Sequence, residues 1–341
     1  MRPEEILERF SPQVDAALEE ALRQIHPEIA DITRYFLGWL DESFKPVSRR
    51  SGKKLRPTLA LLVHEAISGA ATPAIPLAVT LELIHNYTLI HDDIEDHDAE
   101  RRGRPTVWRL WGESVAINAG DTLHALAFRT FLDGNPRDSS AMLEVYRTLV
   151  ETSCRLCEGQ HLDITFEKVL DIDQERYLQM IGRKTAALIA CSTFGGARLA
   201  TGDDRLVSAY QGFGTNLGYA FQIRDDFLNL WGDRERVGKD QYSDLRSKKK
   251  TLPVVYALAG LADEHGERLR AIYAATDRPM QAAEMRYVLG LLEDLEAREY
   301  TADLVNQYID EALACLDRTS ISNTSQLQLH TLARFLVGRD Y

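Results

Sequence analysis

The 341-residue chain has four cysteines, at positions 154, 157, 191 and 315, too few for a disulfide framework in a protein this long. Cys154 and Cys157 form a Cys-x-x-Cys pair, but no second pair or nearby His cluster completes a zinc site, so helix-face packing is the reading. The first residues, Met1-Arg2-Pro3-Glu4-Glu5-Ile6, lack the basic start and apolar core of a secretory signal. No apolar run reaches membrane-spanning length, because His64, Glu65, Glu82 and His85 interrupt the best candidates. Period-2 alternation of β-branched residues is sustained nowhere, which removes any large sheet. Linkers rich in Ser/Gly or Pro are missing, as are short-period repeats. Basic residues are outnumbered, 40 Lys and Arg against 52 Asp and Glu, and the net charge of −12 argues against a nucleic-acid partner. It does not forbid anionic substrates, because the field that matters is local and includes bound metal. The expectation is a cytoplasmic enzyme that meets a membrane only through its product.

What is present is helical period. Leu55, Leu59, Leu62, Val63 and Ala66 follow the i, i+4, i+7 pattern, and similar stretches cover 13–24, 29–43, 77–96, 114–132, 141–160, 174–200, 204–231, 252–262, 281–296 and 301–316. Turn signals separate them, among them Ala71 to Pro76, Asp133-Gly134-Asn135-Pro136, Thr201-Gly202-Asp203 and Asp277-Arg278-Pro279. The pattern predicts one all-α domain over 1–341, a helical bundle around a central cavity, with an N-terminal helical segment over 1–28. Residues 232–250, rich in Lys and Arg and without an apolar helical face, read as a lid loop over bound phosphates.

Two acidic clusters interrupt this apolar background. In His91-Asp92-Asp93-Ile94-Glu95-Asp96, a helix places Asp92 and Asp96 one turn apart on one face with Asp93 beside them. Like charges so placed repel, and hard divalent cations reverse the account, since Mg²⁺ prefers carboxylate, phosphate and water oxygens. The second cluster, Gln222-Ile223-Arg224-Asp225-Asp226-Phe227-Leu228-Asn229, repeats the geometry with Asn229 where the first has Asp96. Two such faces imply a cavity that clamps a polyanion through several metal ions. Short basic groups supply the remaining countercharge: Lys53-Lys54-Leu55-Arg56, Arg101-Arg102, Arg183-Lys184, Lys239 and Lys248-Lys249-Lys250.

With these residues the chain resembles the trans-isoprenyl diphosphate synthases, the polyprenyl synthetase family. The resemblance runs from Gly52 to Arg339 and rests on motifs in family order. They are Gly-Lys-Lys-Leu-Arg-Pro from Gly52, the His91 cluster, Arg-Arg-Gly-x-Pro-Thr from Arg101, Glu-Gly-Gln-x-x-Asp from Glu158, Lys184-Thr185-Ala186, Gln222-x-x-Asp-Asp, and Gly-Lys…Ser-Asp-Leu…Lys-x-Thr-Leu-Pro from Gly238. The resemblance implies Mg²⁺-dependent condensation of isopentenyl diphosphate with the allylic dimethylallyl, geranyl and farnesyl diphosphates, on a homodimer, with about three metal ions per site. It assigns isopentenyl diphosphate to Gly52, Lys53, Arg56, His85 and Arg102, and the allylic diphosphate to Arg101, Lys184, Lys239 and Lys249. Thr185 and Gln222 then stand beside the developing cation. Asp92, Asp93, Asp96, Asp225, Asp226 and Asn229 are metal ligands, direct or through water, and Asp244 is tied to a third metal. Three positions depart from the family: Ser51 for a Gly, Trp108 for a His and Asn229 for a carboxylate.

Product length in the family is set beneath the first cluster. Tyr87 lies five residues before Asp92, about 7–8 Å along a helix axis. Thr88 follows it, Ile84 lies eight before Asp92, and no extra residue separates Asp93 from Asp96. That combination resembles enzymes making the C20 product, geranylgeranyl diphosphate, with the C15 farnesyl product as alternative. A class I terpene cyclase is a further alternative, but it needs no second diphosphate site and leaves Lys53, Arg56 and Arg102 without a task. A metal phosphohydrolase built on His91, Asp92, His64 and Asp121 leaves Asp225 and Asp226 without one. A regulatory subunit of a hetero-oligomeric synthase would lack the acidic motifs.

Overall fold

The computed structural model describes residues 1–47, 52, 54–134, 140–232, 242–276 and 278–338. Helices dominate it, as the period predicts, and the chain divides into two compact units. One comprises Met1–Ser153, Leu188–Gln211 and Leu316–Leu332; the other comprises Cys154–Ala187, Gly212–Cys315 and Ala333–Tyr341.

The first unit opens with α1 (Pro3–Glu8), α2 (Ser11–Leu22) and α3 (Pro27–Phe36), each with proline in its first turn, where no intrahelical N–H is needed. The expected helix over 29–43 stops at Phe36, because Gly38 adopts φ +80° and turns the chain. Helix α4 (Leu55–Ser68) starts from Lys54 at φ 44° and ends at Gly69, φ 79°, whose N–H donates to Glu65 O. Helix α5 (Ile75–Glu95) is apolar all round, and Leu77, Ala78, Leu81 and Ile84 are fully buried. Then comes a hairpin, β1 (Glu100–Arg101) with β2 (Arg104–Pro105), which pairs Arg101 with Arg104. Its corner residues Arg102 and Gly103 have φ of 55° and 69°, the positive pair that a type I′ turn requires. After α6 (Val107–Trp111), helix α7 (Glu113–Gly134) lies so close to α5 that a Cβ on Gly120 would stand 2.2 Å from His91 Nε2. Helix α8 spans Ser140–Phe166.

Further along, the stretch expected as one helix over 174–200 is interrupted. Helix α9 (Gln174–Ile181) passes through a π-helical turn, Gly182–Ala186, into α10 (Ala187–Ala200). The wide turn carries Lys184 and Thr185, and within the second unit it is admitted by two glycines. A Cβ on Gly159 of α8 would lie 2.3 Å from Lys184 N, and one on Gly218 would lie 2.5 Å from Ala186 Cα. Gly218 belongs to α11 (Asp204–Trp231), which has the predicted bounds.

The remaining helices are α12 (Ser243–Arg246), α13 (Leu252–Gly260), α14 (Glu264–Ala274), α15 (Ala282–Asp294), α16 (Ala297–Asp317) and α17 (Thr324–Val337). Of the segment read as a lid, residues 233–241 lie outside the described residues. The remainder is packed: Leu245 joins a core with Leu230, Val254, Leu258, Leu269, Tyr273, Val288 and Leu292, and Lys250 Nζ donates to Glu167 O at 2.7 Å. Cys154 and Cys157 are exposed and Cys191 and Cys315 buried, all as free thiols.

The π turn makes a stability prediction with a built-in contrast. Gly159→Ala pushes a methyl into backbone that cannot yield, and urea denaturation is expected to show a loss of about 1–3 kcal/mol or more. Gly290→Ala, in α15 with no neighbour within 4 Å, is expected to gain up to about 1 kcal/mol from helix propensity.

Candidate active site

In the first unit, cations gather where α4, α5 and the hairpin corner meet. Gly52 has no side chain because Arg102 lies on it: a Cβ there would stand 3.0 Å from Arg102 Nη2. Arg56, from the first turn of α4, is held down to about 10 by burial, and Glu82 opposes that shift. Its Nε has no hydrogen-bond partner among the described residues. Burial first, and then Arg101, lowers Arg102, with Glu82 and Asp93 opposing. His85 is pushed well below its ordinary value by burial and then by Arg56, Arg102 and Arg101, so at neutral pH it is uncharged and can both donate and accept. Glu82 is itself driven up by burial, against the pull of Lys54, Asn86, Arg56 and Arg102. Lys54, at the head of α4, reaches Asp15 Oδ1 at 2.6 Å. Guanidinium groups outnumbering their carboxylates, Arg56 half-buried and Arg102 exposed in part at the corner, with a backbone glycine beside them, form an anion site suited to a diphosphate.

The first acidic cluster closes α5. Asp96 is the helix C-cap, its N–H donating to Asp92 O at 2.8 Å. Asp93 is buried; its Oδ1 accepts from Arg101 Nε at 2.6 Å, while Oδ2 has no hydrogen-bond partner among the described residues. Burial lifts Asp93 to about 6, with Arg101 pulling the other way. The Trp108 departure has a structural use. Its indole N–H donates to Asp98 O at 2.8 Å, the same carbonyl that Thr106 Oγ1 reaches at 2.8 Å, which ties the start of α6 to the loop after the cluster.

Beneath that cluster, Ile84 and Tyr87 are buried, and Thr88 Oγ1 donates to His85 O at 2.8 Å. The Tyr87 ring packs edge-on against His124, centroids 4.6 Å apart, and His124 continues to Phe128 at 5.1 Å and Phe128 to Tyr146 at 5.8 Å. Sequence reasoning found Tyr87 and missed this aromatic backing from α7 and α8. His124 and Phe128 stand four apart on α7, so their shared face is the signal available in the sequence.

In the second unit, Lys184 Nζ meets Asp163 Oδ2 at 2.5 Å. Burial raises Asp163, but Lys184 and Lys249 outweigh it and hold the carboxyl below its usual range. Thr185 Oγ1 donates to Gln222 Oε1 at 2.7 Å, and Gln222 Nε2 donates to Asp226 Oδ1 at 3.1 Å. Asp226 Oδ2 accepts from Tyr177 OH at 2.6 Å and from Leu252 N at 3.0 Å. Burial pushes Asp226 up to about 7 despite these donors. Asp225 beside it is exposed. Asn229 Nδ2 donates to Ser243 Oγ at 2.9 Å, and its Oδ1 is buried with no hydrogen-bond partner among the described residues. Asp244 accepts through its backbone carbonyl from Lys249 N at 2.8 Å. Lys53 and Lys239, with Ser51, lie outside the described residues.

Among the described residues, no three His, Cys, Asp or Glu side chains stand together as a ready-made metal cage. The donor chemistry still fits Mg²⁺, which is held by one or two carboxylates, waters and substrate phosphates rather than by an all-protein cage. Asp93 Oδ2 and Asn229 Oδ1 are oxygen donors of that kind, buried and without protein partners among the described residues.

The polyprenyl synthetase family model matches residues 38–292. The (2E,6E)-farnesyl diphosphate synthase of Mycobacterium tuberculosis is 36% identical over 329 residues, 96% of this chain and 90% of that one. The geranylgeranyl diphosphate synthase of Saccharolobus solfataricus is 34% identical over 336 residues, 96% of this chain and 99% of that one. The crystal structure of a polyprenyl synthetase from Streptomyces coelicolor superposes with a TM-score of 0.88 at 35% identity, covering 97% of this chain and 98% of that one. Motif order, an all-helical fold and similarity along nearly the whole length agree: this chain belongs to the polyprenyl synthetase family and is a prenyltransferase of isoprenoid biosynthesis.

Proposed function

We propose that this prenyltransferase condenses isopentenyl diphosphate with dimethylallyl, geranyl and farnesyl diphosphates and releases geranylgeranyl diphosphate, the C20 product. The observation that carries the substrate assignment is the set of cations around Gly52, with Arg56 and Arg102 outweighing the buried Glu82 and a neutral His85 beside them. In this reading Gly52, Lys53, Arg56, His85 and Arg102 hold isopentenyl diphosphate. Arg101, Lys184, Lys239 and Lys249 hold the allylic diphosphate, with Lys184 aimed by Asp163.

Asp92, Asp93, Asp96, Asp225, Asp226, Asn229 and Asp244 are the proposed ligands of Mg²⁺, about three ions by family expectation. When bound, Mg²⁺ supplies charge neutralisation and Lewis-acid assistance to the departing diphosphate. Without a countercation, carboxylate against diphosphate repels by several kcal/mol in a low-dielectric site. Asp225 is exposed, whereas Asp226 is buried and accepts from three protein donors, so the two would serve a metal differently. No side chain serves as nucleophile. Lys184 and Arg101 stabilise the leaving diphosphate, and Thr185, its proton given to Gln222 Oε1, turns oxygen toward the cation.

The C20 assignment rests on Tyr87, buried and backed by His124, Phe128 and Tyr146. C15 is the second reading, favoured by the identity to a farnesyl diphosphate synthase. A second copy of the chain is the proposed partner. Ile117 on α7 and Leu143 and Val150 on α8, exposed by 44%, 48% and 39%, are apolar side chains that such a partner would cover. Among the described residues no helix is long and apolar enough to cross a membrane.

Purified protein incubated with Mg²⁺, isopentenyl diphosphate and each allylic primer is expected to give products sized at C20 by chromatography after dephosphorylation. Chelation should abolish turnover and Mg²⁺ restore it. Condensation that survives complete metal removal, or turnover of an allylic diphosphate alone into a hydrocarbon, would overturn the reading. Tyr87→Ala is expected to shift products beyond C20, and an unchanged product spectrum would remove Tyr87 from the role.

A further inference from the structure

The hydrogen bonds around Asp226 all run in one direction. Thr185 donates its single hydroxyl proton to Gln222 Oε1 at 2.7 Å, and Gln222 donates from Nε2 to Asp226 Oδ1 at 3.1 Å. From the other side Tyr177 donates its phenolic proton to Asp226 Oδ2 at 2.6 Å, joined there by Leu252 N at 3.0 Å. As the carboxylate, the form that Tyr177, Gln222 and Leu252 all favour by donating to it, Asp226 only accepts, so its position dictates the polarity of every group bound to it. Gln222 must present its NH₂ to the carboxylate and its oxygen to Thr185. Thr185, with its proton spent, is left with lone pairs alone. A threonine within a helix commonly gives that proton to the carbonyl four residues back. Here the π turn at Gly182–Ala186 places Thr185 where its hydroxyl reaches α11 instead.

We infer that Tyr177 is a positioning residue of the prenyl transfer: through Asp226 it fixes the Gln222 amide so that Thr185 faces the developing allylic cation with lone pairs and no proton. This deepens the reading of the site given above and rests on it. Tyr177 and Asp226 are both buried, and the O–H···O⁻ bond between them is short and charge-assisted. Without the phenol, Oδ2 retains one of its two donors, and the carboxylate is free to rotate. Amide oxygen and nitrogen are nearly the same size, so a rotated Asp226 lets Gln222 turn over. Thr185 then accepts from the amide and points its own proton outward, which opposes positive charge instead of stabilising it. Such an inversion acts mainly on the transition state, while diphosphate binding, which also draws on the other proposed metal ligands and on Lys184 and Arg101, changes little.

The test compares Tyr177→Phe with Tyr273→Phe. Tyr273 is an equally buried tyrosine of the same unit whose hydroxyl has no hydrogen-bond partner among the described residues, which makes it the control. Tyr177→Phe is expected to lower kcat by about 10- to 100-fold, the scale of losing one oriented dipole, with KM for both substrates within about threefold. Calorimetric affinity for a non-ionising allylic thiolodiphosphate in Mg²⁺ should also stay within about threefold, and Tyr273→Phe should match wild type. On a Gln222→Leu background, adding Tyr177→Phe is expected to cost less than about a further threefold, because the two act through one network. A second series does not depend on Tyr177 at all: Thr185→Ser retains turnover and the isosteric Thr185→Val loses it. Wild-type kcat in Tyr177→Phe, weakened analogue binding that accounts for its kcat loss, multiplicative losses in the double variant, or equal rates for the Ser and Val variants would each overturn the proposal. Normal turnover in Gln222→Leu would overturn the underlying reading of the site as well.

Discussion

A carboxylate near the C-terminal end of a helix faces the negative pole of the macrodipole, the worst place on the helix for an anion. This chain does it twice. Asp92, Asp93 and Asp96 finish α5, and Asp225 and Asp226 lie near the end of α11. Each unit answers the resulting strain with its own means. In the first, Arg101 crosses from the hairpin to Asp93 at 2.6 Å. In the second, a phenol, an amide and a backbone N–H converge on Asp226. Neither answer removes the charge; both leave carboxylates poised for a cation that a hard divalent metal supplies best.

The backbone makes comparable concessions. Arg102 sits at φ 55°, in the region L-residues avoid, so that two adjacent arginines can leave a hairpin corner in different directions. Lys54 sits at φ 44° at the head of α4, and the π turn widens the helix at Lys184 and Thr185. Departures of this kind survive only where the surroundings enforce them, and here Gly52, Gly159 and Gly218 provide the space. The Glu-Gly-Gln-x-x-Asp motif thereby gains a physical meaning: its glycine admits the Lys184 backbone and its aspartate holds the Lys184 ammonium.

Much of this was legible in the sequence. Helical period placed α5, α7 and α11 to within about two residues, since long apolar periodicity reflects burial directly. It could not show the break at Gly182, because a π turn inserts one residue without disturbing the apolar character of its neighbours. The acidic clusters announced themselves by density. The residues that serve them did not: Glu82 and Tyr177 carry no mark in the sequence, and the partners of Asp163, visible only as part of a motif, lie on another helix, so folding alone reveals what these residues do. Lys54, which the resemblance gives no role, is buried against Asp15, and nothing in a run of adjacent lysines marks that burial. His124 is the same case, a histidine whose meaning comes from the Tyr87 ring against it.

Helix α5 carries the acidic residues at its end and the Tyr87 ring one turn and a half earlier on the same rigid rod. Under the proposed function that rod is a gauge whose graduations are helical turns. Moving the obstruction by one residue swings it through about 100°, out of the path altogether, while a shift of three or four residues returns it to the same side. Ile84 occupies the next such graduation. Enzymes built on this plan should therefore acquire new product sizes in jumps, with no smooth series in between.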